Sequence, residues 1–195
     1  MNTIKLVGIN GRFTHSCLPL FYLRNELEKF LPDTPVEIIQ LTINDNYYES
    51  LLQLTSGAPT SIFFSAAIWN SEKVEKLTRD LQICLPHCRV IIGGPQASVL
   101  YKTIDTENCT VVLGPIESVH PCFYEDLESG RLLGKYEPRR LKGSERDYSY
   151  PYRTEDFSSH LANRHIYYES SRGCIFSCSY CLSSSEKGVY HKPLD

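Results

Sequence analysis

Long apolar runs are missing from this 195-residue sequence, and nothing in it approaches the span that a transmembrane helix needs. The amino terminus also lacks the charged-then-apolar pattern of a secretory signal. It reads directly as a first strand, the expectation for a cytoplasmic protein. No basic excess is present: the formal net charge is −3, so electrostatics call for neither a nucleic acid nor a membrane surface as partner. No Gly-x-Gly-x-x-Gly follows the first strand and no Walker sequence occurs, which removes the common phosphate-cradling loops. Internal repeats are absent as well. What is there, 42% hydrophobic and 22% charged residues, suits one full globular domain plus an appendage.

The order of elements follows from periodicity. Residues 3–9 form a short β-rich apolar run ending at Asn10-Gly11, and Ser16 is placed to cap a helix carrying Leu20, Leu23, Leu27, Phe30 and Leu31 until Pro32 stops it. Residues 36–43 predict a strand. Asn44 or Asp45 then caps a short helix through Leu54, broken at Ser56-Gly57-Ala58-Pro59. Residues 61–68 are apolar almost throughout, as a strand covered on both faces should be. A helix with Val74, Leu77, Leu81 and Leu85 inward follows. Next come a strand over 89–93, a short helix over 96–101, a strand over 110–114 and a helix over 117–127. This alternation predicts an α/β fold: a Rossmann-like, flavodoxin-like doubly wound parallel sheet of five strands in the order 2-1-3-4-5. Residues 1–130 make this domain and 131–163 a linker. Within it 132–136 could add one more strand, and 137–160 run extended over the surface. The tyrosines at 148, 150 and 152 read as anchors of that linker.

Small residues gather where ligands sit in such sheets, at the carboxyl ends of the strands. They are Asn10-Gly11 after the first strand, Ser65-Ala66-Ala67 late in the third, Gly93-Gly94-Pro95 after the fourth and Gly114 after the fifth. Missing side chains there let a bulky, flat ligand approach the backbone, although glycine also follows strands in any α/β fold.

The eight cysteines, with no secretory signal, point to ligation or catalysis ahead of disulfides. Cys17, Cys109 and Cys122 are isolated and read as small buried apolar residues. Cys84-Leu-Pro-His87-Cys88 reads as a helix end and turn. Cys174-Ile-Phe-Ser-Cys178-Ser-Tyr180-Cys181 is different, because three thiolates in one loop can hold three irons of a four-iron four-sulfur (4Fe-4S) cubane and leave the fourth open. A zinc site would need a fourth ligand, for which His191 is the nearby candidate. Residues 164–173 read as a strand running straight into Cys174.

The cysteine pattern resembles the radical S-adenosylmethionine (AdoMet) signature, Cys-x-x-x-Cys-x-aromatic-Cys, with Tyr180 at the aromatic position. The resemblance implies that Cys174, Cys178 and Cys181 hold the cluster. It further implies that the open iron chelates AdoMet, whose reductive cleavage gives a 5′-deoxyadenosyl radical, and that Tyr180 packs near the adenine. The upstream domain, with Gly93-Gly94-Pro95 and Gly114-Pro-Ile-Glu117, extends the likeness to the cobalamin-dependent radical AdoMet enzymes, the group that includes the anaerobic oxidative cyclase of magnesium-protoporphyrin IX monomethyl ester. Cobalamin then lies against Asn10, Gly11, Arg12, His15, Ser65, Ala66, Gly93, Gly94, Pro95, Gly114 and Glu117. The first loop, Asn10-Gly11-Arg12-Phe13-Thr14-His15, lacks the Asp-x-His-x-x-Gly that puts histidine on cobalt, so no motif histidine is expected there. His15 either faces the corrin or holds a structural hydrogen bond. Pro115-Ile116 replaces the Gly-Glu-Gly-Glu-like turn of related sequences, a departure on the nucleotide side.

On this likeness the whole enzyme methylates or oxidatively cyclises a small organic substrate, with a flavodoxin or ferredoxin as reductant. Residues 164–195 would be the first strand and cluster loop of a truncated barrel, too little for turnover alone. A corrinoid-binding or sensor module without chemistry, and a small iron-sulfur electron carrier, are the other two expectations. A tail strand without barrel neighbours exposes an edge, which pairs with a second copy or packs back on the domain.

Overall fold

The structure, a computed structural model, describes residues 3–104, 109–139, 150–181 and 188–191. Its centre is a parallel sheet of six strands in the order β2-β1-β3-β4-β5-β6. These are β1 Ile4–Asn10, β2 Val36–Thr42, β3 Ser61–Ser65, β4 Arg89–Gly93, β5 Cys109–Val112 and β6 Lys135–Tyr136. Every residue of β1 is buried, as an interior strand of a sheet covered on both faces requires. One face packs on α2 Tyr47–Thr55, α3 Ser71–Cys84 and α4 Ala97–Leu100, through Leu54, Val74, Leu77, Leu81, Ala97 and Leu100. The other packs on α1 Leu18–Phe30 and α5 Cys122–Ser129, through Phe21, Leu27, Phe123 and Tyr124. Helices on both faces make the sheet doubly wound, so all its strands end on one carboxyl edge.

The predicted order of the first five strands is observed, but the sheet has six. Val111 and Val112 pair in parallel with Lys135 and Tyr136. The sixth strand falls within 132–136, where the sequence allows one more strand beyond the five. β3 ends at Ser65 rather than 68: the Ala66 amide still bonds the Gly93 carbonyl of β4, but the Ala66 carbonyl takes the Gln96 amide and Ala67 turns with Asn70. The expected helix over 117–127 is split into a 3₁₀ turn, Ile116–Ser118, and α5, with Pro121 between them unable to continue a ladder. α1 is preceded by Cys17 rather than Ser16, whose hydroxyl instead donates to the His165 carbonyl at 2.7 Å. α2 is capped by Asn46, which accepts from the Tyr48 and Glu49 amides; Asp45 turns back to Thr42.

The segment after residue 150 is docked on the domain, not extended over it. Pro151, Tyr152, Asp156 and Leu161 are buried around the short α6 Thr154–Ser158. The Tyr152 ring meets Phe21 edge-on at 4.8 Å. The Asp156 carboxylate accepts from Arg24 Nη1 and Nη2, at 2.6 and 2.8 Å. Tyr152 is the anchor that the tyrosine-rich stretch suggests, Tyr150 is 56% exposed, and Asp156 and Leu161 are single side chains that no period marks in the sequence. Tyr148 lies outside the described residues.

The expected strand over 164–173 is only partly formed. β7 covers Ser171–Cys174 and pairs antiparallel with β8 Gly188–His191 in a separate two-stranded sheet. Among the described residues no helix is long and apolar enough to cross a membrane.

Candidate functional site at the carboxyl edge of the sheet

The carboxyl edge collects the loops after β1 to β5, and most of the sequence-predicted site residues are there. Their roles divide sharply. Asn10 is buried, and its amide donates to Gln40 Oε1 at 3.2 Å; the same oxygen accepts the Cys17 amide at 2.9 Å. Gln40 in turn donates to the His160 carbonyl at 2.8 Å, so one side chain on β2 ties the first loop to the docked segment. Burial pushes the Cys17 thiol up to about 11, partly offset by a hydrogen bond with Ser65. That leaves Cys17 an inert packing group.

Two of the glycines are needed for protein contacts. Gly94 has φ +91, and a Cβ there would stand 2.5 Å from the Ala66 carbonyl oxygen. Gly114, at φ +73, has the Pro138 ring where its Cβ would be, at 2.8 Å. Gly11 and Gly93 are different: nothing lies within 4 Å of a Cβ on Gly11, and only the Val112 carbonyl, at 3.8 Å, neighbours one on Gly93. The open cradle is therefore at Gly11 and Gly93, with the β3 loop between them. That loop carries Ile68 and Trp69, 76% and 60% exposed, and Phe13 and Ile43 stand exposed in the neighbouring loops. The Trp69 indole N–H is held by the Ile9 carbonyl at 3.3 Å. Asn70, which no sequence motif marked, is buried and clamps the edge. Its amide donates to the Ile9 and Ser65 carbonyls, and its oxygen accepts the Ala67 amide at 2.7 Å. Arg12 and Pro95 are exposed.

The tail is packed back on this edge. Arg164 donates to the Phe13 and His15 carbonyls, and the His165 amide to the Thr14 carbonyl at 2.7 Å. His15 Nδ1 shares a 2.6 Å hydrogen bond with the Tyr167 hydroxyl, which makes His15 a structural link between loop and tail. At the other end, Arg172 Nη2 meets Glu117 Oε1 at 2.8 Å and Arg172 Nε meets Glu169 at 2.8 Å. The guanidinium also lies 5.0 Å from the centre of the Tyr22 ring. Burial disfavours the Arg172 charge, but the two carboxylates outweigh it and raise its pKa above the usual guanidinium value. Burial, reinforced by Glu169, pushes the Tyr22 hydroxyl up to about 12. Glu117, a residue expected against a ligand, is the counter-ion of the strand that leads to Cys174.

The cysteine loop follows directly. Cys174 and Cys178 are half-buried and Cys181 is exposed; the Cys181 amide bonds the Cys178 carbonyl at 3.2 Å. Tyr180 is 90% exposed. Among the described residues, no group of three or more His, Cys, Asp or Glu side chains is gathered to hold a metal ion. By chemistry the thiols suit an iron-sulfur cluster, and the loop has to draw in around one. Cys88 is buried behind the turn that ends α3, and burial pushes its thiol up to about 11.

A cavity of about 510 Å³ opens elsewhere, beside the start of β2 and under α6. Most of its charged lining is paired, as Arg24–Asp156 and Arg153–Glu28, with Glu155 beside them, and the cavity lies along the seam between the domain and the docked segment. No family model matches the chain, and neither does any curated protein.

Proposed function

We propose that the chain is the cobalamin-binding domain and cluster loop of a radical AdoMet enzyme, acting by methyl transfer or oxidative cyclisation on a small organic substrate in a reducing, cytoplasmic setting. The observation that carries this reading is a juxtaposition. The segment entering Cys-x-x-x-Cys-x-Tyr-Cys is clasped, through Arg164 and Arg172, to the carboxyl edge of a doubly wound sheet, where such folds hold their ligands. When bound, the cluster supplies the electron that cleaves AdoMet, and the corrinoid supplies the methyl group or a second redox centre. Cys174, Cys178 and Cys181 would each hold one iron as thiolates, leaving the fourth to the amino and carboxylate groups of AdoMet. Gly11 and Gly93 leave room for a flat ligand against the backbone, and Ile68 and Trp69 offer it an apolar rim that excludes water. A flavodoxin or ferredoxin would deliver the electron.

The test is anaerobic reconstitution of the chain with ferrous iron and sulfide, then AdoMet titration followed by electron paramagnetic resonance. The expected result is a cluster whose spectrum shifts with AdoMet and which Cys174→Ser, Cys178→Ser and Cys181→Ser each abolish. Cobalamin absorption should also co-elute with the chain on gel filtration. Failure of both would refute the reading. Cobalamin retention without iron uptake would instead favour a corrinoid-binding module without chemistry, a second reading supported by the ungathered thiols.

A further inference from the structure

We propose that Glu117 is a positioning residue: through Arg172 it sets where the cysteine strand lies on the carboxyl edge of the sheet, and so where the Cys174 thiol stands. This rests on the reading of Cys174, Cys178 and Cys181 as cluster ligands. The Glu117 and Arg172 side chains keep only 8% and 17% of their exposure and meet at 2.8 Å, so this is no solvent-screened surface pair. In β7, Arg172 and Cys174 are separated by one residue, so they project from the same face, roughly 7 Å apart along the strand. The face that reaches Glu117 is therefore the face that carries the first thiol.

Glu117 belongs to the turn after β5, and the tail's other clasp, at Ser16 and His165, belongs to the loop after β1. The approach to Cys174 is thus pinned at both ends to loops of the carboxyl edge. Any shift of the β5 loop on ligand binding is passed to the cysteine strand through one desolvated ion pair. Without the Glu117 charge, the Arg172 guanidinium keeps Glu169 on its own side and the Tyr22 ring on α1, but loses its ion pair with the domain.

Glu117→Gln in the whole chain tests this, with amide exchange read by mass spectrometry and with the reconstituted cluster. Exchange at residues 171–174 should rise on the order of tenfold while the β1 to β5 amides stay protected. The cluster in the variant should bleach several-fold faster, and its AdoMet-induced spectral shift should weaken. The reversed pair, Glu117→Arg with Arg172→Glu, should recover both. Wild-type exchange at 171–174, loosening of the whole sheet, or a loosened strand with an unaltered cluster would each overturn the positioning role. If the wild-type chain takes up no iron, the cluster reading fails by itself, and the exchange comparison still decides whether Glu117 is the latch.

Discussion

Removing the Asp156 carboxylate should release the docked segment from the domain without unfolding the sheet. Arg24 and Asp156 keep 8% and 4% of their side-chain exposure, and Arg24 also donates to the Pro151 carbonyl at 3.1 Å. In Asp156→Ala the guanidinium stays buried against Phe21, 5.4 Å from the ring centre, with no carboxylate. Stranding one charge of a buried pair costs about 3–5 kcal/mol. The segment's main apolar anchors, Tyr152 and Leu161, contribute about 1.5–3 kcal/mol each. The two quantities are comparable, so the segment's docking should be nearly cancelled. Its detachment also caps the damage, because Arg24 then reaches water. Amide exchange over 154–161 should therefore accelerate by roughly 10²–10⁴-fold, while β1, β3 and β4 keep their protection. The double variant Arg24→Met, Asp156→Leu removes both charges and should recover most of the loss, since apolar replacement of a whole buried pair is often neutral. Exchange within threefold of wild type in Asp156→Ala, or a double variant no better than the single, would refute this account.

Two further consequences follow from the same packing. Burial, helped by Arg24 and Arg164 and opposed by Asp156, holds the His160 pKa below its free value. The unfolded chain then takes up a proton that the folded chain refuses, so stability should fall as pH drops through about 6.5 towards the folded value. Urea midpoints at pH 7.5 and 5.5 should show this, and His160→Gln should flatten the difference; a midpoint that rises on acidification would contradict it. Gly94→Ala forces a side chain into φ +91 and against the Ala66 carbonyl, and should cost about 2 kcal/mol or more. Gly11→Ala, with open space around the added carbon, should stay within about 0.5 kcal/mol. Equal thermal shifts for the two would show that Gly94 is not conformationally required.

The five principal strands were legible because a parallel sheet covered on both faces needs near-continuous apolar runs, and 61–65 and 89–93 are such runs. The helices of the first half were legible because their inward stripes recur with the helical period. The candidate edge was legible only as a set of small residues. Sequence cannot distinguish Gly94, whose missing side chain makes room for Ala66, from Gly93, whose missing side chain leaves open space. Asn70, buried, and Gln40, half-buried, escaped notice because a side-chain amide of this kind announces itself by its partners, and those lie in distant parts of the chain.

The sequence by itself determined the alternation that builds the doubly wound sheet, the edge on which its loops converge, and three cysteines at ligand spacing. These are local properties, carried by periods of two and 3.6 residues and by spacing within one loop. Tertiary structure alone decided that Arg24 meets Asp156, that Tyr167 meets His15, and that Glu117 is spent on Arg172. Each of those pairs joins groups more than fifty residues apart in the chain. The Arg24–Asp156 and Glu117–Arg172 pairs draw their strength from leaving water together, a condition that exists only once the fold has brought their elements side by side.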